Sequence, residues 1–192
     1  RQASAHAGGS AAVAPAATTE PTTESATVEG VETPTADEVA SEAVTITSPL
    51  VGRAVPISQI PDPVFSTGVV GDGIAVEPAN NTVVCPADAT IVTAPDSGHA
   101  FGLKLDSGVE LLIHVGIDTV ELGGKGFDVK VKAGDHVSAG QPLVVFDPTV
   151  IDEAGYSKIT PVLVTNGFDY SNVTGIPADD VTTNTAVITV VK

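Results

Sequence analysis

The chain has 192 residues, 42% of them hydrophobic, enough for one domain with its own core and too few for two large ones. A net charge of -16 disfavours nucleic acid or an anionic membrane surface as a partner, and no apolar run of about 18 residues is present to span a bilayer. The single cysteine, Cys85, excludes an internal disulfide and suits a reducing compartment, which points to the cytoplasm.

Only 4% of the residues are aromatic and none is Trp, so the core must come from Val, Ile, Leu and Ala, a composition that favours strands. The chain contains no Met and opens on RQASAHAGG, which has neither the apolar centre nor the cleavage pattern of a signal peptide. It reads as part of a longer polypeptide or as a processed product. Residues 1–43 are Ala, Thr, Pro and Glu with almost no large apolar side chain, so they read as a disordered acidic linker with His6 incidental to it.

From Val44 the texture changes to short apolar runs broken by Gly, Pro, Asp and Asn. Strands are predicted at VTIT, LVGRAVPI, GIAVEP, NTVVCP, ATIVTA, AFGLKLD, VELLIHVG, FDVKV, PLVVFD, PVLVTN and AVITVVK. Helix is confined to a short piece in DPTVIDEAGY and a turn at ISQIPDPVF, whose prolines stop anything longer. The prediction is an all-β domain over residues 44–192, an antiparallel β-sandwich or barrel-like pair of sheets with short helical turns. CPADATIVTA and VKAGDHVSAGQPLVVFD form an inexact internal echo, each a turn followed by a strand.

His136 lies in KAGDHVSAGQ, where a polar hairpin residue is expected. His99 and His114 differ, because each interrupts or ends an apolar strand. The turn at DSG joins those two strands; with it centred on Ser107, His99 lies 8 residues before and His114 7 after, which makes the imidazoles neighbours across a hairpin. Such a pair suits metal binding, proton transfer or a phosphohistidine, against the plainer reading of two satisfied strand-end histidines. Asp62, Asp72 and Glu77 show no spacing that demands acid–base work. VVGDGIA and LGGKG do not lead from strand to helix as a phosphate loop would, and no G-x-S-x-G elbow or paired C-x-x-C cluster is present.

IPDPVFSTGVVGDGIAVEP, HAFGLKLDSGVELLIHVGIDTVELGGKGF and GQPLVVFD, in this order, resemble the glucose-type enzyme IIA domain of the bacterial phosphoenolpyruvate-dependent sugar phosphotransferase system. The resemblance runs from about Val44 to Lys192. It implies a β-sandwich phosphocarrier that takes a phosphoryl group from the histidine phosphocarrier protein HPr and passes it to a cysteine on the IIB domain of a sugar permease. By motif position His114 is then the phosphorylated residue, through Nε2, and His99 the imidazole that stabilises the phosphoryl oxygens. Ser97, where the family usually has Thr, would orient His99, and the Gly116 carbonyl would orient His114. Asp62, Val64, Phe65, Val70, Asp118 and Val120 match the rim of the family's docking face.

No metal, nucleotide or other cofactor is implied, although in some settings the histidine pair shares a zinc ion with a partner's carboxylate. Membrane association would come only through a fused or partner permease domain. Two departures stand out: Pro95 and Leu112 replace phenylalanines of well-known relatives, and Cys85 stands where Ala is common. The alternative within the family is a regulatory protein that inhibits other transporters or metabolic enzymes when unphosphorylated. A biotinyl or lipoyl carrier lacks its turn lysine here, and a zinc peptidase lacks its H-x-H pair.

Overall fold

The computed structural model describes residues 42–192, so almost all of the segment read as a linker, residues 1–43, lies outside the described residues. Short apolar runs, many of them alternating with polar residues, become the strands of the domain. In chain order these are β1 (Ala43–Thr47), β2 (Gly52–Val55), β3 (Asp72–Pro78), β4 (Thr82–Val84), β5 (Ala89–Thr93), β6 (Ala100–Leu105) and β7 (Glu110–His114). They continue with β8 (Phe127–Val129), β9 (His136–Val137), β10 (Pro142–Phe146), β11 (Thr160–Val164), β12 (Asn172–Gly175), β13 (Ala178–Val181) and β14 (Ala186–Val191).

Eight of them form one antiparallel sheet in the order β13-β2-β3-β11-β7-β6-β5-β9, accompanied by two three-stranded sheets, β1-β14-β12 and β4-β10-β8. The all-β expectation therefore holds, with every pairing antiparallel. The two echoing turn-plus-strand units pair with each other through β5 against β9.

In β6 and β7 the side chains of Phe101, Leu103, Leu105, Leu111 and Ile113 point into the main core, with Phe146 and Ile151. That alternation turns Ala100, Gly102, Leu112 and His114 to the other face. β11, between β3 and β7, is buried at all five residues, as expected of a strand covered on both sides. A smaller core of Val55, Ile60, Ala75, Ile117 and Ile159, with Ile57 and Phe65 packed on it, lies on that second side.

Among the described residues two short α-helices occur, α1 (Pro63–Ser66) and α2 (Pro148–Glu153). Each begins with Pro in its first turn after a capping aspartate, Asp62 or Asp147, whose carboxylate accepts backbone N–H bonds. Three strands were not foreseen: β9, β12 and β13. All three lie at sheet edges, where short polar segments pair on one side only and carry no apolar alternation.

Candidate functional site

The hairpin that joins β6 to β7 turns at Asp106–Gly108, closed by the Gly108 N–H on the Leu105 carbonyl at 2.8 Å. Its register places Ala100 opposite His114, so His99 lies one step beyond, across from Val115, whose N–H donates to the His99 carbonyl at 2.6 Å. The two imidazoles meet with ring centroids 5.3 Å apart and planes at 75°. Both are partly exposed. Phe65, carried in by α1, lays its ring 4.9 Å from that of His114 at 52°.

Each imidazole is held through Nδ1. His114 Nδ1 lies 2.6 Å from the Gly116 carbonyl oxygen. A carbonyl can only accept, so Nδ1 carries the proton and a neutral His114 presents a bare Nε2. His99 Nδ1 lies 2.7 Å from Ser97 Oγ, a hydroxyl able to donate to it and leave the proton on Nε2.

The backbone around Gly116 is built for this contact. Gly116 has φ +74°, and a Cβ there would fall 2.6 Å from Thr119 Cγ2 and 2.7 Å from the Ser157 carbonyl oxygen. Only glycine fits. The peptide between Gly116 and Ile117 is held at both ends, its carbonyl by His114 and its N–H by the Ser157 carbonyl at 2.9 Å. Thr119 is fully buried and donates its hydroxyl to the Val115 carbonyl at 2.5 Å. Thr119 and Ser157 escaped the sequence reading: Ser157 orients the peptide through its backbone, which leaves no residue-type signature.

Burial pushes the His114 pKa below the ordinary histidine value, opposed by the Gly116 hydrogen bond and by the charges of Asp62 and Asp118. His99 is also lowered, first by burial and then by the charge of His114. Both shifts favour the neutral ring, the state in which a ring nitrogen can attack an electrophile.

The rim residues fall into two groups. Asp62, Val64 and Phe65 belong to α1 and its cap; the Asp62 carboxylate accepts from the N–H groups of Val64 at 2.8 Å and Phe65 at 3.2 Å. Asp118 and Val120 belong to the 3-10 turn after β7, with Asp118 in the left-handed region at φ 60°. Val64 and Val120 are exposed, and so is Val69, which the sequence reading passed over. Val70 lies half-buried in the loop before β3.

Beside the hairpin, a depression of 220 Å³ is lined by Val92, Gly102, Leu112 and Thr165 among others, on a face whose aromatic content is low. His136 is exposed and faces Asp106 at 3.1 Å, at a different part of the sheet. Among the described residues no three His, Cys, Asp or Glu side chains converge as metal ligands. No helix of the described residues is long and apolar enough to cross a membrane.

The domain is an antiparallel all-β fold that presents two Nδ1-anchored imidazoles side by side on a partly apolar face. Residues 44–170 match the family described as phosphoenolpyruvate-dependent sugar phosphotransferase system, EIIA 1, and the chain belongs to that family. It is 52% identical over 151 residues to the mannose-specific EIIBCA component of Corynebacterium glutamicum, a match covering 79% of this chain and 22% of that protein. With the glucose-specific EIIA component of Oceanobacillus iheyensis it shares 38% identity over 139 residues, 72% of this chain and 84% of the relative. The structure of glucose permease IIA from Mycoplasma capricolum superposes with a TM-score of 0.68 at 31% identity, over 77% of this chain and 96% of that one. The chain thus spans about a fifth of the length of the EIIBCA relatives it matches, and most of the length of the separate EIIA relative.

Proposed function

We propose that the domain is a phosphocarrier of a sugar phosphotransferase system, with His114 Nε2 as the atom that carries the phosphoryl group. The observation that supports this most is the 2.6 Å contact of His114 Nδ1 with the Gly116 carbonyl, which keeps the proton off Nε2. The donor is the phosphohistidine of HPr. Its P–N bond breaks as the bond from phosphorus to His114 Nε2 forms, and the donor nitrogen recovers the lone pair.

The transferred group brings negative charge to a site with two carboxylates nearby, so it needs a donor beside it. His99 supplies one, its Nε2–H set by the Ser97 contact at Nδ1. In the second step the phosphoryl group passes from His114 to a cysteine thiolate of a IIB domain, coupled to sugar phosphorylation and uptake. Positioning dominates such in-line transfers, and two protein faces pressed together exclude water from the reacting atoms. The exposed Val64, Val69 and Val120 give the surface on which HPr and IIB would dock in turn.

Residues 1–43 join this domain, residues 44–192, to the other domains of a permease at the cytoplasmic face of the membrane. Their Ala, Thr, Pro and Glu composition and the multidomain EIIBCA relatives support that arrangement. A tether raises the concentration of carrier at its acceptor.

The test is incubation with phosphoenolpyruvate, enzyme I and HPr, then assay for an acid-labile, base-stable phosphate. Loss of that phosphate in His114→Ala is expected; its persistence in the variant sinks the assignment. For His99→Ala, acceptance should continue while onward transfer to IIB collapses, and normal onward transfer would remove the role given to His99.

A further inference from the structure

We propose that Thr119 is a positioning residue for His114: its buried hydroxyl locks the turn whose Gly116 carbonyl fixes the imidazole tautomer. This rests on His114 being the reacting residue. Two adjacent peptide units come after β7. In the first, between Val115 and Gly116, the Val115 carbonyl receives the Thr119 hydroxyl at 2.5 Å. In the second, the Gly116 carbonyl receives His114 Nδ1 and the Ile117 N–H donates to Ser157.

The two units meet at the Gly116 Cα, so the angle between them is set by the φ and ψ of that residue. Glycine alone would leave that pivot loose, since it has the widest choice of backbone angles of any residue. The hydroxyl of Thr119 removes that freedom, and its methyl fills the space beside the pivot. Its Oγ1 holds the preceding carbonyl, and its Cγ2 lies 2.6 Å from the point a Gly116 Cβ would occupy, packed against the open side of the pivot. Asp118, the one non-glycine residue at positive φ among those described, makes the bend that returns Thr119 to Val115. Thr119 does not contact the imidazole; it acts through the peptide that does.

A hydroxyl four residues after the carbonyl it binds is common in helices, where it shadows an existing backbone bond. Here the only helix is the short 3-10 turn that starts at Thr119 itself, so the Val115 carbonyl lies before it. The Thr119 side chain is then the partner of a carbonyl buried with it, and both are fully enclosed.

The test uses the 192-residue chain and three variants. Thr119→Val removes the hydroxyl with little change of shape, Thr119→Ser keeps the hydroxyl and removes the methyl, and Thr119→Ala removes both. The tautomer and pKa of His114 are read by ¹H–¹⁵N long-range NMR, which needs no phosphate donor, and initial phosphorylation rates are read separately with phospho-HPr. Expected are a single Nδ1–H tautomer in the parent and in Ser, a mixture in Val and Ala, and a rate loss in those two of up to about 100-fold at unchanged HPr affinity. Should Val fail to fold, Ala carries the same comparison without added bulk. A folded Val or Ala variant with the parent's single tautomer overturns the proposal. So does a Ser variant that loses the tautomer as Val does. A parent chain that shows the tautomer and takes no phosphate defeats the phosphocarrier reading and leaves the tautomer comparison to decide the role of Thr119.

Discussion

Gly116→Ala tests the geometry of the site at its tightest point. The residue sits at φ +74°, where an L side chain costs roughly 1–2 kcal/mol. The new methyl would fall 2.6 Å from Thr119 Cγ2 and 2.7 Å from the Ser157 oxygen, both inside the distance that real Cβ atoms keep. Neither neighbour is the free end of a long side chain: one is a buried threonine, the other backbone. Relieving an overlap of this kind in a packed region costs about 1–3 kcal/mol more. The total of about 2–5 kcal/mol is below the stability of most domains, about 5–15 kcal/mol, so the variant should fold. With a urea slope of about 2 kcal/mol/M, the unfolding midpoint should drop by about 1–2.5 M. The relief must move the 116–117 peptide, and the 2.6 Å bond to His114 moves with it. Phosphate acceptance should therefore fall further than the folded fraction does. An Ala variant with the parent's midpoint and the parent's rate would refute this reading of the turn.

Other expectations rest on the same contacts. Asp62 caps α1 and also pulls the His114 pKa upward, and two substitutions separate these effects. Asp62→Asn should leave the unfolding midpoint nearly unchanged, since Asn caps as well as Asp, yet shift the His114 NMR titration to lower pH; Asp62→Ala should also cost about 1 kcal/mol. The pH dependence of stability has a definite sign. His99 and His114 have lowered pKa values in the fold, so the unfolded chain binds their protons first and stability, complete above the unfolded value near pH ~6.5, is lost as pH falls toward the lowered folded values. Urea midpoints measured from pH 7 to pH 5 should drop, with a shallower drop in His114→Gln; an equal slope in the two proteins would contradict the assignment. Cys85 is buried, its thiol pushed up to about 11 chiefly by burial. Iodoacetamide at pH 8 should label it far more slowly in the native chain than in urea, and equal rates would show that the thiol is accessible.

Most of the fold was legible because most strands announce themselves. AFGLKL alternates cleanly, ELLIH carries a central apolar run, and TPVLV is apolar after its first residue, as suits a strand covered on both faces. NVTG and ADDV carried no such signal, since an edge strand needs only one partner and one dry face. The histidine pair could be reached by counting outward from Ser107, because a tight hairpin converts sequence distance directly into register. Counting located the pair to within one step: His99 faces Val115 and reaches His114 diagonally.

What the count could not supply was the support beneath the pair. The turn after β7 depends on two positive-φ residues, Gly116 and Asp118, and on a carbonyl from Ser157 about forty positions later in the chain. Neither alternation nor spacing encodes a contact of that kind. Asp62 shows the converse: it is visible as an acid near the site, and its capping bonds to Val64 and Phe65 become apparent only with α1 in place.

The central claim concerns one atom, His114 Nε2. The chain should be labelled with ¹⁵N-histidine, phosphorylated through HPr and observed at alkaline pH by ¹⁵N and ³¹P NMR. The expected product is a single phosphoramidate with phosphorus bonded to Nε2 of His114 and the proton retained on Nδ1. Phosphorus on Nδ1, on His99 or on any other residue would contradict it.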